Sequence, residues 1–173
     1  MQWVKRSEKT HPVHRKNIHG KKSMLTVFWC VDGPILCKLV PQGKSIDANY
    51  VCQELEEMVS NAEQCGRKRD QILLLWDNCR PHIAKKTQEK LKQLQMEVLP
   101  QPAYSADLAP SDYHLFRSLE HWLKGKQLQS EDDLKLELSA FFESKKRSFY
   151  DYGIRSLARR WQRVIDHHGS YFQ

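Results

Sequence analysis

No apolar run in the sequence approaches the roughly 20 residues that a membrane-spanning helix needs, so none is expected. The opening Met1-Gln2-Trp3-Val4-Lys5-Arg6 lacks the apolar stretch of a signal peptide, which argues against secretion. Cysteines are few and odd in number: Cys30, Cys37, Cys52, Cys65 and Cys79, with no C-x-x-C among them. That argues against a disulfide framework or a zinc ribbon and suits a reducing compartment. Internal repeats, low-complexity tracts and linkers are absent too, so the 173 residues read as one unit. With 40% hydrophobic and 28% charged residues, the chain can build a core and is not a disordered tail.

What is present is an uneven charge. The formal net charge is +7, and residues 1–22 hold most of it. Seven basic side chains (Lys5, Arg6, Lys9, Arg15, Lys16, Lys21, Lys22) face one acid there, Glu8, whereas the other 151 residues hold 21 basic and 20 acidic groups. His11, His14 and His19 lie in the same stretch. Such an arm can track a phosphate backbone, although charge alone favours a solvated basic loop.

The apolar pattern sets the fold class. Residues 24–31 and 35–40 are apolar runs joined across Asp32-Gly33-Pro34, the signature of an antiparallel hairpin. A helix capped by Ser45 or Asp47 follows, with Val51, Leu55, Met58, Val59 and Ala62 on its inner face. Ile72–Trp76 is apolar at every position, which predicts a strand covered on both faces. Pro81 suits the first turn of the next helix, whose Ile83, Thr87, Leu91 and Leu94 would share a face. Residues 96–99 return as a short strand, and residues 100–111, with three prolines, form an irregular loop. Three further helices are expected: one capped by Ser111, one opened by Ser130 with Asp133, and one carrying Ile154, Leu157, Trp161, Val164 and Ile165. The whole is an α/β sheet with an antiparallel edge and a helical C-terminal third.

Asp77 falls just past the buried strand, at the carboxyl end where ligands of open α/β sheets gather. Asp112 opens a later helix, with 34 residues lying between the two aspartates. Two carboxylates on one sheet edge, with no thiolate or clustered histidine, suit hard cations such as Mg²⁺ or Mn²⁺. A pair of such ions clamps the attacking and leaving oxygens of a phosphodiester. Taken alone the pattern also fits two helix-capping aspartates.

The surrounding words shift that balance. Asp77-Asn78-Cys79-Arg80-Pro81-His82 and the run Val98-Leu99-Pro100-Gln101-Pro102-Ala103-Tyr104-Ser105-Ala106-Asp107-Leu108-Ala109-Pro110-Ser111-Asp112-Tyr113-His114-Leu115-Phe116 resemble the mariner branch of the Tc1/mariner DNA transposases. That family carries H-D-N-A-R-P-H, then L-P-H-P-P-Y-S-P-D-L-A-P-S-D-Y-H-L-F at the same spacing. The segments Phe149-Tyr150-Asp151-Tyr152-Gly153-Ile154-Arg155-Ser156-Leu157, Arg160-Trp161 and Gly169-Ser170-Tyr171-Phe172 are similar to its closing motifs. The resemblance implies a DDE-type, RNase H-like (retroviral integrase-like) catalytic domain over residues 1–173. It would use Mg²⁺ or Mn²⁺ to cut DNA at transposon ends and join it elsewhere, in the nucleus, and the family's pairing implies a homodimer. Asp77 and Asp112 match the second and third catalytic, metal-holding aspartates. Asn78 and His82 would orient ligands or phosphate, with ordinary capping an equal alternative. Lys5, Arg6, Arg15, Lys16, Lys21, Lys22, Arg80, Lys85 and Lys86 are the candidate DNA contacts, against the alternative of a solvated face. His114 is expected to pack rather than to ligate.

The chain also departs from the family pattern. The G-D-E-x-W segment that bears the first catalytic aspartate does not occur, nor does the family's helix-turn-helix region, so the mixed sheet is expected to lack its first strand. Cys30 stands where the family has an aspartate outside the triad, and Ala106 replaces a proline. With two carboxylates, the chain is expected not to transpose DNA unaided. Two other readings stay open: a non-catalytic DNA-binding or dimerising protein derived from a transposase, and a nuclease for RNA–DNA hybrids.

Overall fold

The computed structural model describes residues 22–169. The hairpin forms as expected, from β1 (Met24–Cys30) and β2 (Gly33–Val40). Gly33 takes φ +136°, which a side chain would resist, so the turn depends on glycine. Pro34 is tolerated because, among the described residues, β2 pairs only with β1.

The period of two in β1 places Leu25, Val27 and Trp29 on one face and Phe28 on the other. Both faces are covered. On the Phe28 side lies α1 (Ala48–Gln64), capped by Asp47, whose carboxylate accepts from the Tyr50 N–H at 2.8 Å. Its Val51, Leu55, Met58 and Val59 join Leu36, Leu74, Leu91 and Met96 in the first core. On the Trp29 side, α4 (Arg117–Leu123), α5 (Glu131–Glu143) and α6 (Arg147–Asp166) supply Leu119, Leu138, Phe141 and Tyr150 to a second core. The Ser130–Asp133 signature is a full capping box: the Ser130 hydroxyl accepts from the Asp133 N–H, and the Asp133 carboxylate from the Ser130 N–H.

The second ladder is parallel: β3 (Leu73–Trp76) pairs with β4 (Glu97–Pro100), in register from Leu73↔Glu97 to Trp76↔Pro100. The crossover between them contains α2 (Arg80–Ile83) and α3 (Lys85–Gln93).

Four expectations need correction. The sheet is not continuous among the described residues, because the hairpin and the parallel pair are not hydrogen-bonded to each other. A cleft of about 350 Å³ separates them, lined by Val27, Trp29, Leu73, Leu75, Leu99 and Ser111. Leu73 is 55% exposed, so β3 is not covered on both faces despite its unbroken apolar run. The helix after Pro81 breaks at Ala84, whose ψ of 140° is extended, and Ile83 is left exposed rather than sharing the face of buried Thr87 and Leu91. Ser111 is not a cap, because its hydroxyl is taken by the Trp29 indole.

One buried acid makes a stability prediction. Glu54 is 3% exposed with its Oε1 unpartnered, and burial pushes its carboxyl above the ordinary value although a hydrogen bond to Thr26 and the charge of Lys38 oppose this. A raised folded-state pKa favours folding while the acid is protonated, and that stabilisation is lost as pH rises through it. Glu54→Gln mimics the protonated form. It is expected to stabilise the fold at neutral pH by about 1 kcal/mol, with the gain vanishing on acidification; urea unfolding at two pH values checks this.

Candidate active site

Asp77 leaves the carboxyl end of β3 and folds back on itself. Its Oδ1 accepts from the Cys79 backbone N–H at 3.1 Å, an Asx-type turn, and from His82 Nδ1 at 2.7 Å. A carboxylate only accepts, so Nδ1 is the protonated nitrogen of His82. Pro81 starts the single turn of α2 that swings His82 over Asp77. The imidazole lies flat on Trp76, with ring centroids 4.1 Å apart and planes 4° from parallel. From α3, the Thr87 hydroxyl donates to the Pro81 carbonyl at 2.6 Å and Gln88 Nε2 to the His82 carbonyl at 2.8 Å. The turn is therefore held from both ends.

These contacts set the charge. Burial pushes the Asp77 carboxyl up, but the backbone N–H and thiol of Cys79 together with His82 outweigh it and hold the group below the usual carboxylate value. Asp77 is ionised at neutral pH, and its side chain is 59% exposed. Burial, with the Asp77 carboxylate alongside, pushes the Cys79 thiol up to about 11.

Asn78 does a structural job. Its Nδ2 donates to the Gln101 carbonyl at 2.7 Å, and buried Gln101 donates through Nε2 to the Ser105 carbonyl at 2.6 Å. The end of β3 is thus fastened to the proline-rich loop that leads to Asp112.

Asp112 stands exposed on a wide, π-type helical segment, Ser111–Phe116, that runs into α4. The residues around it are clamped. Ser111 Oγ accepts from Trp29 Nε1 at 3.0 Å, the Tyr113 hydroxyl donates to the Gly153 carbonyl at 2.8 Å, and His114 Nε2 donates to the Phe149 carbonyl at 2.8 Å. His114 also packs its ring on Phe149, with centroids 4.1 Å apart, as a packing residue should. Both aspartates are therefore presented by backbone that β1, β4 and α6 hold in place.

Asp77 is not the only side chain here with a metal-ligating group. Asp77, Cys79 and His82 bring one ligand atom each to within 4.8 Å of one another, so a thiol and an imidazole do gather here, contrary to expectation. Asp112 is outside that trio. Sequence reasoning missed Cys79 and Gln101; the spacing D-x-C-x-x-H across a turn that ends in Pro81 was the available signal for the first.

Of the basic candidates, Lys5, Arg6, Arg15, Lys16 and Lys21 lie outside the described residues. Lys22, Arg80, Lys85 and Lys86 are exposed, the last three on α2 and α3, the helices that follow Asp77 in the chain, and the Lys86 ammonium donates to Asn49.

Residues 1–73 match the family model described as Transposase (partial DDE domain). The solved catalytic domain of Mos1 transposase, with raltegravir and Mg, is 35% identical; the match covers 90% of this chain and 80% of that one, with a TM-score of 0.85. The chain belongs to the mariner transposase family. It matches the family's catalytic domain, and with it the RNase H-like fold. Mos1 transposase of Drosophila mauritiana is 34% identical over 163 residues, 92% of this chain and 47% of Mos1. In its paired-end complex with the left transposon end, Mos1 superposes with a TM-score of 0.89, over 100% of this domain and 51% of that chain. The human histone-lysine N-methyltransferase SETMAR is 37% identical over 174 residues, 99% of the mariner domain and 25% of SETMAR. The domain thus spans at most about half of the full-length relatives it matches.

Proposed function

We propose that this is the catalytic domain for metal-dependent phosphodiester chemistry on transposon-end DNA, contributing Asp77 and Asp112 as two of the metal-holding carboxylates that chemistry needs. The observation that carries the reading is the carboxylate of Asp77, kept ionised and solvent-accessible at the carboxyl end of β3 by the Cys79 N–H and His82. Charged oxygen donors of this kind fit Mg²⁺ or Mn²⁺, and relatives of this fold were solved with each ion. Bound there, a divalent ion supplies positive charge to phosphate oxygens and lowers the pKa of an attacking oxygen nucleophile. The chain's own side chains do the rest. His82 keeps the Asp77 carboxylate charged and oriented, Asn78 ties that turn to the loop before Asp112, and Arg80 and Lys85 offer positive charge to DNA beside it. DNA as partner implies nuclear residence, and the paired-end state of Mos1 supports a second copy of the chain at work on DNA.

We further infer that the 173-residue polypeptide by itself does not complete strand transfer, because its sequence supplies two of the family's three carboxylates. Incubated with Mg²⁺ or Mn²⁺ and a nicked mariner-end duplex, it is expected to retain DNA in a salt-sensitive manner and to yield no transfer product. Efficient strand transfer would overturn this.

The likeness to SETMAR, named for a different activity, favours a second reading, in which a mariner-derived segment binds DNA or dimerises without catalysis. Salt-dependent DNA binding that survives the double substitution Asp77→Ala, Asp112→Ala, with no metal bound by the unaltered chain, is the result this reading requires.

A further inference from the structure

We propose that Asp77, Cys79 and His82 form a site for a thiophilic divalent cation of the zinc class. The inference stands on the ligand trio itself and does not depend on the transposase reading. Oxygen, sulfur and nitrogen donors from three side chains lie within 4.8 Å of one another on a six-residue stretch. Zinc takes such a mixed set at bond lengths near 2.0–2.3 Å, so ligand atoms around one tetrahedral ion sit roughly 3.2–3.6 Å apart. Reaching that spacing requires two small adjustments. The Nδ1···Oδ1 contact, now 2.7 Å, opens as the ion takes the place of the hydrogen between them, and the Cys79 sulfur, already beside Asp77, closes on the same point. The Cys79 thiol proton and the His82 Nδ1 proton are released to solvent.

The rest of the site is already built. The imidazole plane is fixed by its stack on Trp76, and the backbone of the turn is fixed by Thr87, Gln88 and the Asn78–Gln101 hydrogen bond. Three protein ligands leave a fourth position open to water, as in a zinc site that is not purely structural. A thiolate and an imidazole favour zinc-class ions over Mg²⁺ or Mn²⁺, both by softness and by the usual affinity order of divalent metals. On the proposed function, which this consequence but not the site itself rests on, a thiophilic ion held by Cys79 and His82 takes the Asp77 carboxylate away from a hard ion. Zinc-class metal is therefore a competitor built into the edge of the domain.

The test is a Co²⁺ titration of the full 173-residue chain, followed by absorption and by Zn²⁺ back-titration. One equivalent of Co²⁺ should give a sulfur-to-cobalt charge-transfer band in the near-ultraviolet and intense visible bands of a tetrahedral centre, all bleached by Zn²⁺. Cys79→Ser and His82→Gln should each weaken binding by at least about 100-fold, since even residues behind the ligands cost 10–100-fold. Cys37→Ser and Cys65→Ser, at the other two exposed cysteines, should leave the spectrum unchanged. Circular dichroism of each variant confirms that the fold is kept; both substituted side chains sit on a surface turn, and either variant alone suffices. Absence of the charge-transfer band, or its persistence in folded Cys79→Ser, overturns the proposal. Loss of strand chemistry in an enzyme assay has no bearing on these spectra, so this proposal and the catalytic reading fail separately.

Discussion

Asp77→Asn and Asp112→Asn should each lower metal-dependent cleavage of mariner-end DNA by at least about a thousandfold, measured in a version of this chain extended at its N-terminus by a strand carrying Gly-Asp-Glu. Phosphoryl transfer is governed by positioning and charge stabilisation, and a carboxylate that holds a cation does both. Asparagine keeps the shape of aspartate. At position 77 its oxygen can still accept from the Cys79 N–H, so the turn into α2 should survive and only the charge is lost. DNA retention by either variant is expected to match that of the unaltered protein, which separates loss of chemistry from loss of fold. His82→Ala should cost less, because His82 acts through Asp77; it removes one of the groups holding that carboxyl down, and the Asp77 pKa should rise accordingly. Asp112→Asn with undiminished cleavage would remove Asp112 from the metal site.

Gly153→Val is expected to destabilise the fold by about 3 kcal/mol or more, and Gly153→Ala by somewhat less. A Cβ at this position in α6 would sit 2.4 Å from His114 Cδ2 and 3.0 Å from Trp29 Cη2. Neither ring is a free end that can swing aside. His114 is fixed by its hydrogen bond to the Phe149 carbonyl and its contact with the Phe149 ring, and Trp29 by its indole bond to Ser111. The clash therefore has to be relieved by moving α6 away from the Ser111–Phe116 segment. That shift would also strain the Tyr113 hydrogen bond to the Gly153 carbonyl. Urea unfolding should show a lower midpoint with little change in slope. A midpoint within error of the unaltered protein would mean that the packing of α6 on the Asp112 segment is looser than described. The glycine that lets α6 approach also braces the backbone carrying Asp112.

Much of this was legible in the residues. The hairpin, α1 and the Ser130 capping box announce themselves through local signals: an Asp-Gly turn between apolar runs, an acid three residues before a helix turn, a serine paired with an acid three residues on. Word and spacing nominate Asp77 and Asp112 as the metal-holding candidates. What local signals did not reveal was tertiary. Ile72–Trp76 is uniformly apolar, yet Leu73 borders the cleft between the two ladders instead of a covering layer. The break at Ala84 has no proline or glycine at the kink; it follows from Thr87 and Gln88 bonding back to the carbonyls of the preceding turn. Ser111 reads as a helix cap, but an indole 82 residues earlier in sequence takes its hydroxyl. Cys79 escaped notice because the family words draw attention to the residues on either side of it, while its own position is defined only once α2 folds His82 back toward Asp77.

If Asp77 and Asp112 share a divalent cation, Mn²⁺ located by anomalous diffraction in crystals of this chain should give a peak within coordination distance of both carboxylates, lost in Asp77→Asn and in Asp112→Asn. A peak bound by Asp77 that leaves Asp112 uncoordinated, or no peak at either aspartate at saturating Mn²⁺, would contradict it.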